Sequence, residues 1–166
     1  MKTRSSLLPS LALAAVSLAT ALVFAQPKPV EPVFSDEAVR KAVLETNAKM
    51  SEAANRMDAD AFFSYILDTD KGMIIQNGTL FKTRQEALEA VKRGFMGMAK
   101  MDRQFINPQV TVISPDVALL ASEGTVAATR TDGRAVEGRF AVSLIFVRKD
   151  GQWKLLHGHY SAPPRM

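Results

Sequence analysis

The stretch Arg148–Ser161, reading Arg-Lys-Asp-Gly-Gln-Trp-Lys-Leu-Leu-His-Gly-His-Tyr-Ser, constrains the fold more than any other part of the chain. Asp150-Gly151 marks a turn, because glycine accepts positive φ without steric cost. Gln152–Ser161 then reads as a terminal strand. Strict alternation places Trp153, Leu155, His157, His159 and Ser161 on one face and Lys154, Leu156, Gly158 and Tyr160 on the other. An aromatic anchor and two imidazoles are thus expected to share a face.

Three more strands precede it: Phe105–Ile113, Val117–Arg130 and Gly138–Lys149. Ser114-Pro115-Asp116, Thr131-Asp132-Gly133 and Asp150-Gly151 separate them, and the last three strands form a long antiparallel meander. In Arg139–Lys149 both faces are largely apolar: Phe140, Val142, Leu144 and Phe146 on one, Ala141, Ser143, Ile145 and Val147 on the other. Helices cover one side of such a sheet, and a second subunit is expected to cover the other. A homodimer paired through the sheet face follows.

The first half is helical. Ser35 is an N-cap with Asp36 and Glu37 in the first turn. Val39, Val43, Thr46, Met50, Ala53 and Met57 recur at helical spacing to about Arg56. Asp58 caps a short helix, Ala59–Leu67, with Phe62, Phe63 and Ile66 on its apolar side. Asn77-Gly78 joins a hairpin between Met73–Gln76 and Thr79–Phe81. Thr83-Arg84-Gln85-Glu86 has capping-box spacing and opens a third helix, with Leu88, Val91, Phe95 and Met98 facing the core.

Ahead of this domain, Lys2 and Arg4 precede an apolar run, Leu7 to Phe24, and a small residue, Ala25. This predicts a secretory signal over 1–25, a proline-rich spacer over 26–33, a domain over 34–161 and a tail over 162–166. The expected location is secreted or periplasmic, with no membrane association once the signal is removed. The 21 basic and 17 acidic residues include Lys2 and Arg4, and without those two the balance is about +2. A balance so near neutral, with scattered basic residues, gives no footprint for nucleic acid. The chain has no cysteine, which excludes disulfides and thiol catalysis.

Helix, short helix, hairpin, helix and meander, with the ending Asp150-Gly151-Gln152-Trp153-Lys154-Leu155-Leu156-His157-Gly158-His159-Tyr160-Ser161, resembles the nuclear transport factor 2-like superfamily in its SnoaL-like branch. The association domain of calcium/calmodulin-dependent kinase II ends similarly. The resemblance implies an α+β, cone-shaped fold: three N-terminal helices packed on a curved antiparallel sheet, with a conical cavity open at one end. It leaves the activity open, since the superfamily includes isomerases, cyclases, dehydratases and oligomerisation modules. The ketosteroid isomerase of this fold uses a Tyr, an Asp base and a protonated Asp. The matching positions here, near Met50, Gln76 and Ile145, carry no such groups.

Nine pocket candidates remain: His157, His159, Glu123, Tyr65, Phe63, Phe81, Phe95, Trp153 and Arg139. His157 and His159 are the polar pair. Glu123 interrupts an otherwise apolar or small strand and is expected to face an imidazole or to pair with Arg139. A third ligand would be needed for a metal site, and neither metal nor cofactor is expected. The expected function is a small apolar or mildly polar ligand held in the cone. The alternatives are an enzyme of this fold using His/Glu acid–base chemistry, of isomerase, cyclase or dehydratase type, or a ligand-free oligomerisation module.

Overall fold

The computed structural model describes residues 35–68 and 74–163. The expected signal and spacer lie outside the described residues, as do Met73 and the end of the tail. Three helices come first: α1 (Asp36–Asn55), α2 (Ala59–Ser64) and, after the β1 (Ile74–Gln76) and β2 (Thr79–Phe81) hairpin, α3 (Arg84–Met96). The meander follows as β3 (Met98–Ser114), β4 (Val117–Arg130), β5 (Ala135–Lys149) and β6 (Gln152–Ser161). No described helix is long and apolar enough to cross a membrane.

Local chemistry sets the helix starts. The Ser35 hydroxyl accepts from the Ala38 N–H and the Asp58 carboxylate from the Ala61 N–H. Thr83 Oγ1 accepts from the Glu86 N–H at 3.1 Å, while Glu86 Oε2 accepts from the Lys82 N–H at 2.8 Å. The carboxylate therefore reaches one residue further back than the Thr83 N–H of a standard capping box. Asn77 and Gly78 both have positive φ, 50° and 80°, as a two-residue hairpin turn needs. α1 buries Val39, Val43, Asn47, Met50, Ala53 and Ala54. Asn47 replaces the expected Thr46, whose hydroxyl instead donates to the Ala42 carbonyl.

The six strands form one sheet in the order β2-β1-β6-β5-β4-β3. The meander is antiparallel, and β1 joins β6 in parallel, so the sheet is mixed. β3 is one of the two edge strands, with β2 the other, and its register slips at Met98/Lys100, Ile106/Gln109 and Val112/Ser114. Each slip bends a strand and increases its twist, which suits the curved, open sheet seen here. The helices lie on the inner face, with α1 against β3, β4 and β6.

The core sits between α1, α2 and that inner face. Phe63, Phe146, Met50, Leu120, Leu144, Leu155 and Val43 are its largest fully buried side chains. Burial of each large apolar side chain contributes about 1.5–3 kcal/mol. On β5, Val142, Leu144 and Phe146 are buried; on the opposite face Ala141 and Ser143 are exposed and Ile145 and Val147 half-buried. Within one chain, nothing described covers that outer face.

Candidate functional site

β6 does not keep the alternation expected of it. The register pairs Phe146 with Leu155 but Ile145 with His157, so Leu156 is an extra residue, a β-bulge. A bulge swaps the faces of everything beyond it. Trp153 and Leu155 point inward as expected; after Leu156 the inward residues are Gly158 and Tyr160, paired with Leu144 and Val142. His157 pairs with Ile145 and His159 with Ser143, both on the outer face. His157 is half-buried there and His159 is exposed.

The inner face of β1 and β3–β6, with α2 and α3, encloses a cavity of about 340 Å³. Such a volume lies in the range of small-molecule sites. Its wall is mainly aromatic and aliphatic, with Phe62, Phe63, Phe95, Met98, Met101 and Phe140 contributing. Gln76, Asn77, Arg103, Arg139, Tyr160 and Ser161 add polar groups.

Three of the nine expected pocket residues, Phe63, Phe95 and Arg139, line this cavity, and six do not. The bulge turns His157 and His159 outward. Glu123 is also on the outer face, where its Oε2 accepts from Arg139 Nη2 at 2.9 Å. Of the two partners weighed for Glu123, the structure pairs it with Arg139. Both side chains remain about two-thirds exposed, at 66% and 70%. Tyr65 lies beneath the Lys154 ammonium, 5.9 Å from its ring centre. Trp153 is buried in the core, and Phe81 packs against the core from the hairpin. Among the described residues no three His, Asp or Glu side chains gather as a metal site would require.

Two residues outside the expected set give the cavity its chemistry. Arg103 lies on β3 in the inward series Met101, Arg103, Phe105, and its backbone is fixed from α1. Asn55 Nδ2 donates to the Arg103 carbonyl at 3.2 Å, and Asn55 Oδ1 accepts from the Arg103 N–H at 2.8 Å. The guanidinium carbon lies 5.1 Å from the centre of the Phe140 ring, 5.6 Å from Tyr160 and 5.9 Å from Phe105. All are within the reach of a cation–π attraction. Phe105 and Phe140 meet edge to face at 5.4 Å. Gly124 makes room for this group: a Cβ there would strike Phe140 Cζ and come within 2.5 Å of the Gln104 carbonyl oxygen.

Tyr160 is the second. Burial pushes its phenol above the ordinary value of 10.0, and the charge of Arg103 pulls the other way. The net direction is upward, so the hydroxyl is a neutral donor at physiological pH. One of the two left a signal in the sequence. An arginine at every-other-residue spacing between Met101 and Phe105 signals a cation on a core face. Tyr160 had no such signal, because the bulge at Leu156 that turns it inward shows only in the pairing with β5.

The profile of the family described as SnoaL-like domain matches residues 43–165. A search of curated proteins finds no match. Among solved structures, a nuclear transport factor 2-like superfamily protein from Salmonella enterica serovar Typhimurium superposes with a TM-score of 0.72 at 14% identity, covering 80% of this chain and 96% of that one. A protein from Streptomyces avermitilis, provisionally named a dehydratase of the nuclear transport factor 2-like family, has a TM-score of 0.70 at 18% identity, covering 79% and 100%. A hexachlorocyclohexane dehydrochlorinase has a TM-score of 0.67 at 14% identity, covering 77% and 87%. Identities this low speak for the fold alone. Together with the helices, the mixed six-stranded sheet and the profile match over most of its length, they show that the chain belongs to the SnoaL-like domain family, within the nuclear transport factor 2-like superfamily.

Proposed function

We propose that this chain is an exported domain that binds a small, largely apolar molecule in the cavity and works as a homodimer paired through its outer sheet face. The observation that carries the binding role is the cavity itself. About 340 Å³ of space is walled by phenylalanines and methionines and carries only a few polar groups, the usual composition of a ligand site. A filled core would have served an oligomerisation module better, since cavities cost stability. Export rests on the charged start and apolar run of residues 1–25. The dimer rests on the outer face of β5 and its neighbours, where Ile145, Val147 and Leu119 are half-buried and Ala141 and Ile106 exposed.

Among the described residues the cavity wall has no carboxylate or imidazole. His157, His159 and Glu123 lie outside it, so acid–base catalysis by that set has no support from their positions. A binding role fits the wall better.

The test is a thermal-shift screen of apolar acids, ketones and amides on the chain from residue 26 onward, repeated with Ala90→Trp. Ala90 lines the cavity from α3, and an indole there would fill it. Saturable stabilisation of the wild type that disappears in a folded Ala90→Trp protein is expected. No response to any compound, or an equal response in both proteins, sinks the proposal. Sedimentation equilibrium addresses the dimer separately: a wild-type monomer at micromolar concentration refutes it, and Ile145→Glu should dissociate it.

A further inference from the structure

We infer that the occupant of the cavity is a carboxylate monoanion with a flat apolar body, its carboxylate on the Arg103 guanidinium and the Tyr160 hydroxyl. The inference deepens the binding role above and rests on it.

An arginine side chain turned into an apolar cavity needs a reason. Desolvating a guanidinium is costly unless a counter-charge or full hydrogen bonding replaces the water. Among the described residues no carboxylate pairs with Arg103: the ion pairs are Arg40–Asp36, Lys92–Asp60, Arg134–Asp132, Arg139–Glu123 and Arg148–Asp116. Its side-chain N–H groups meet no carboxylate or backbone carbonyl either, and the Tyr160 hydroxyl oxygen is their one polar neighbour. What surrounds it is aromatic: Phe140, Tyr160 and Phe105, at 5.1, 5.6 and 5.9 Å. Rings satisfy the cation only in part. They attract its charge, and the Tyr160 oxygen meets one donor, but most of the five N–H donors in the guanidinium plane are left without an acceptor. That fork matches the two oxygens of a carboxylate. The neutral phenol of Tyr160, on the same cavity wall, adds one donor.

Charge count selects a monoanion over a dianion. The other cation at the wall, Arg139, already holds Glu123 at 2.9 Å, which leaves one uncompensated positive charge in the cavity. The rest of the wall selects the body. Phe62, Phe63 and Phe95 offer flat apolar surfaces, and Met98 and Met101 adapt to irregular outlines.

The test uses three probes of one shape: 2-naphthoate, neutral 2-naphthamide and dianionic 2-naphthylphosphonate. Binding to the chain from residue 26 onward is measured by calorimetry at pH 8. The naphthoate is expected to bind about tenfold or more tighter than the amide, as loss of a charge-assisted pair implies. Arg103→Gln should erase that preference while leaving amide binding within about twofold. Tyr160→Phe should weaken the acid more than the amide. The comparison between ligands on wild-type protein does not depend on any variant folding. Equal binding of acid and amide, with both blocked by Ala90→Trp, overturns the carboxylate assignment and leaves the pocket reading standing. Tighter binding of the phosphonate overturns the monoanion assignment. Failure of all three probes overturns the inference, and silence of the wider apolar screen as well takes the pocket reading with it.

Discussion

Gly124→Ala is the sharpest perturbation available, because one methyl group reaches both the sheet and the cavity. The new Cβ would overlap the Phe140 ring and lie 2.5 Å from the Gln104 carbonyl oxygen. A flexible side-chain tip would swing away, but the Gln104 carbonyl belongs to β3. The β3–β4 register holds it there, with Gln104 opposite Thr125 and Phe105 opposite Gly124. Phe140 must therefore move. Overpacking of this kind costs about 1–3 kcal/mol. Losing the Phe105–Phe140 edge contact adds about 0.5–1.5 kcal/mol, and the Arg103–Phe140 attraction adds about 0.5–2 kcal/mol. Because these terms share atoms they are not fully additive, and a total of about 2–4 kcal/mol is expected. For a domain of this size that lowers Tm by about 6–15 °C. Urea denaturation should show a lower midpoint with an unchanged slope. Gly138→Ala on β5 is the control: its Cβ would meet only Val126 Cγ1, at an ordinary 3.5 Å. A Gly124→Ala protein with the Tm of Gly138→Ala would refute the argument that the ring and the backbone compete for that space.

Other expectations test the same geometry. Asn55→Ala removes both hydrogen bonds to the Arg103 backbone, so it should cost about 1–3 kcal/mol in urea denaturation; a loss under 0.3 kcal/mol would contradict the clamp. Tyr160 has a raised folded pKa, so its contribution to stability is complete below about pH 10 and drains away as pH rises through the folded value. Absorbance at 295 nm of a Tyr65→Phe protein should show a midpoint above 10 for the remaining tyrosine, and a midpoint at or below 10 would be wrong for a buried phenol. His157→Ala and His159→Ala should leave 2-naphthoate affinity within about twofold; a tenfold loss would mean that the imidazoles face the cavity after all.

Most of the architecture was legible because it depends on local chemistry. Ser35, Asp58 and Thr83 mark the helix starts, Asn77-Gly78 the hairpin, and Val117–Arg130 and Gln152–Ser161 have the expected strand bounds. The site was less legible, for two physical reasons. Face assignment on a strand depends on counting, and a single bulge at Leu156 exchanges the faces beyond it, which moved the histidines out and Tyr160 in. β3 also begins at Met98, ahead of the expected Phe105, because its first residues pair with the far end of β4: Met101 lies opposite Ala128 and Arg103 opposite Val126. That long-range pairing overrides the mixed polarity of Lys100–Gln104, so an arginine ahead of the expected strand start sits on the inner face.

The slips in β3 have a consequence beyond curvature. β3 spans 17 residues at the outer end of the sheet, and a strand that long and open is a template on which another chain can add a strand and start an aggregate. Here the row of free backbone groups is interrupted: the Asn55 side chain takes up the Arg103 N–H and carbonyl. Asn107 turns to a φ of 48°, Pro108 has no N–H to offer, and the Arg40 Nε lies 3.4 Å from the Val110 carbonyl oxygen as its donor. The irregularities that bend the strand around the helices thus also interrupt its edge, which hinders a stray β-strand from pairing along its whole length, a safeguard against misassembly for a chain with no disulfide to hold it.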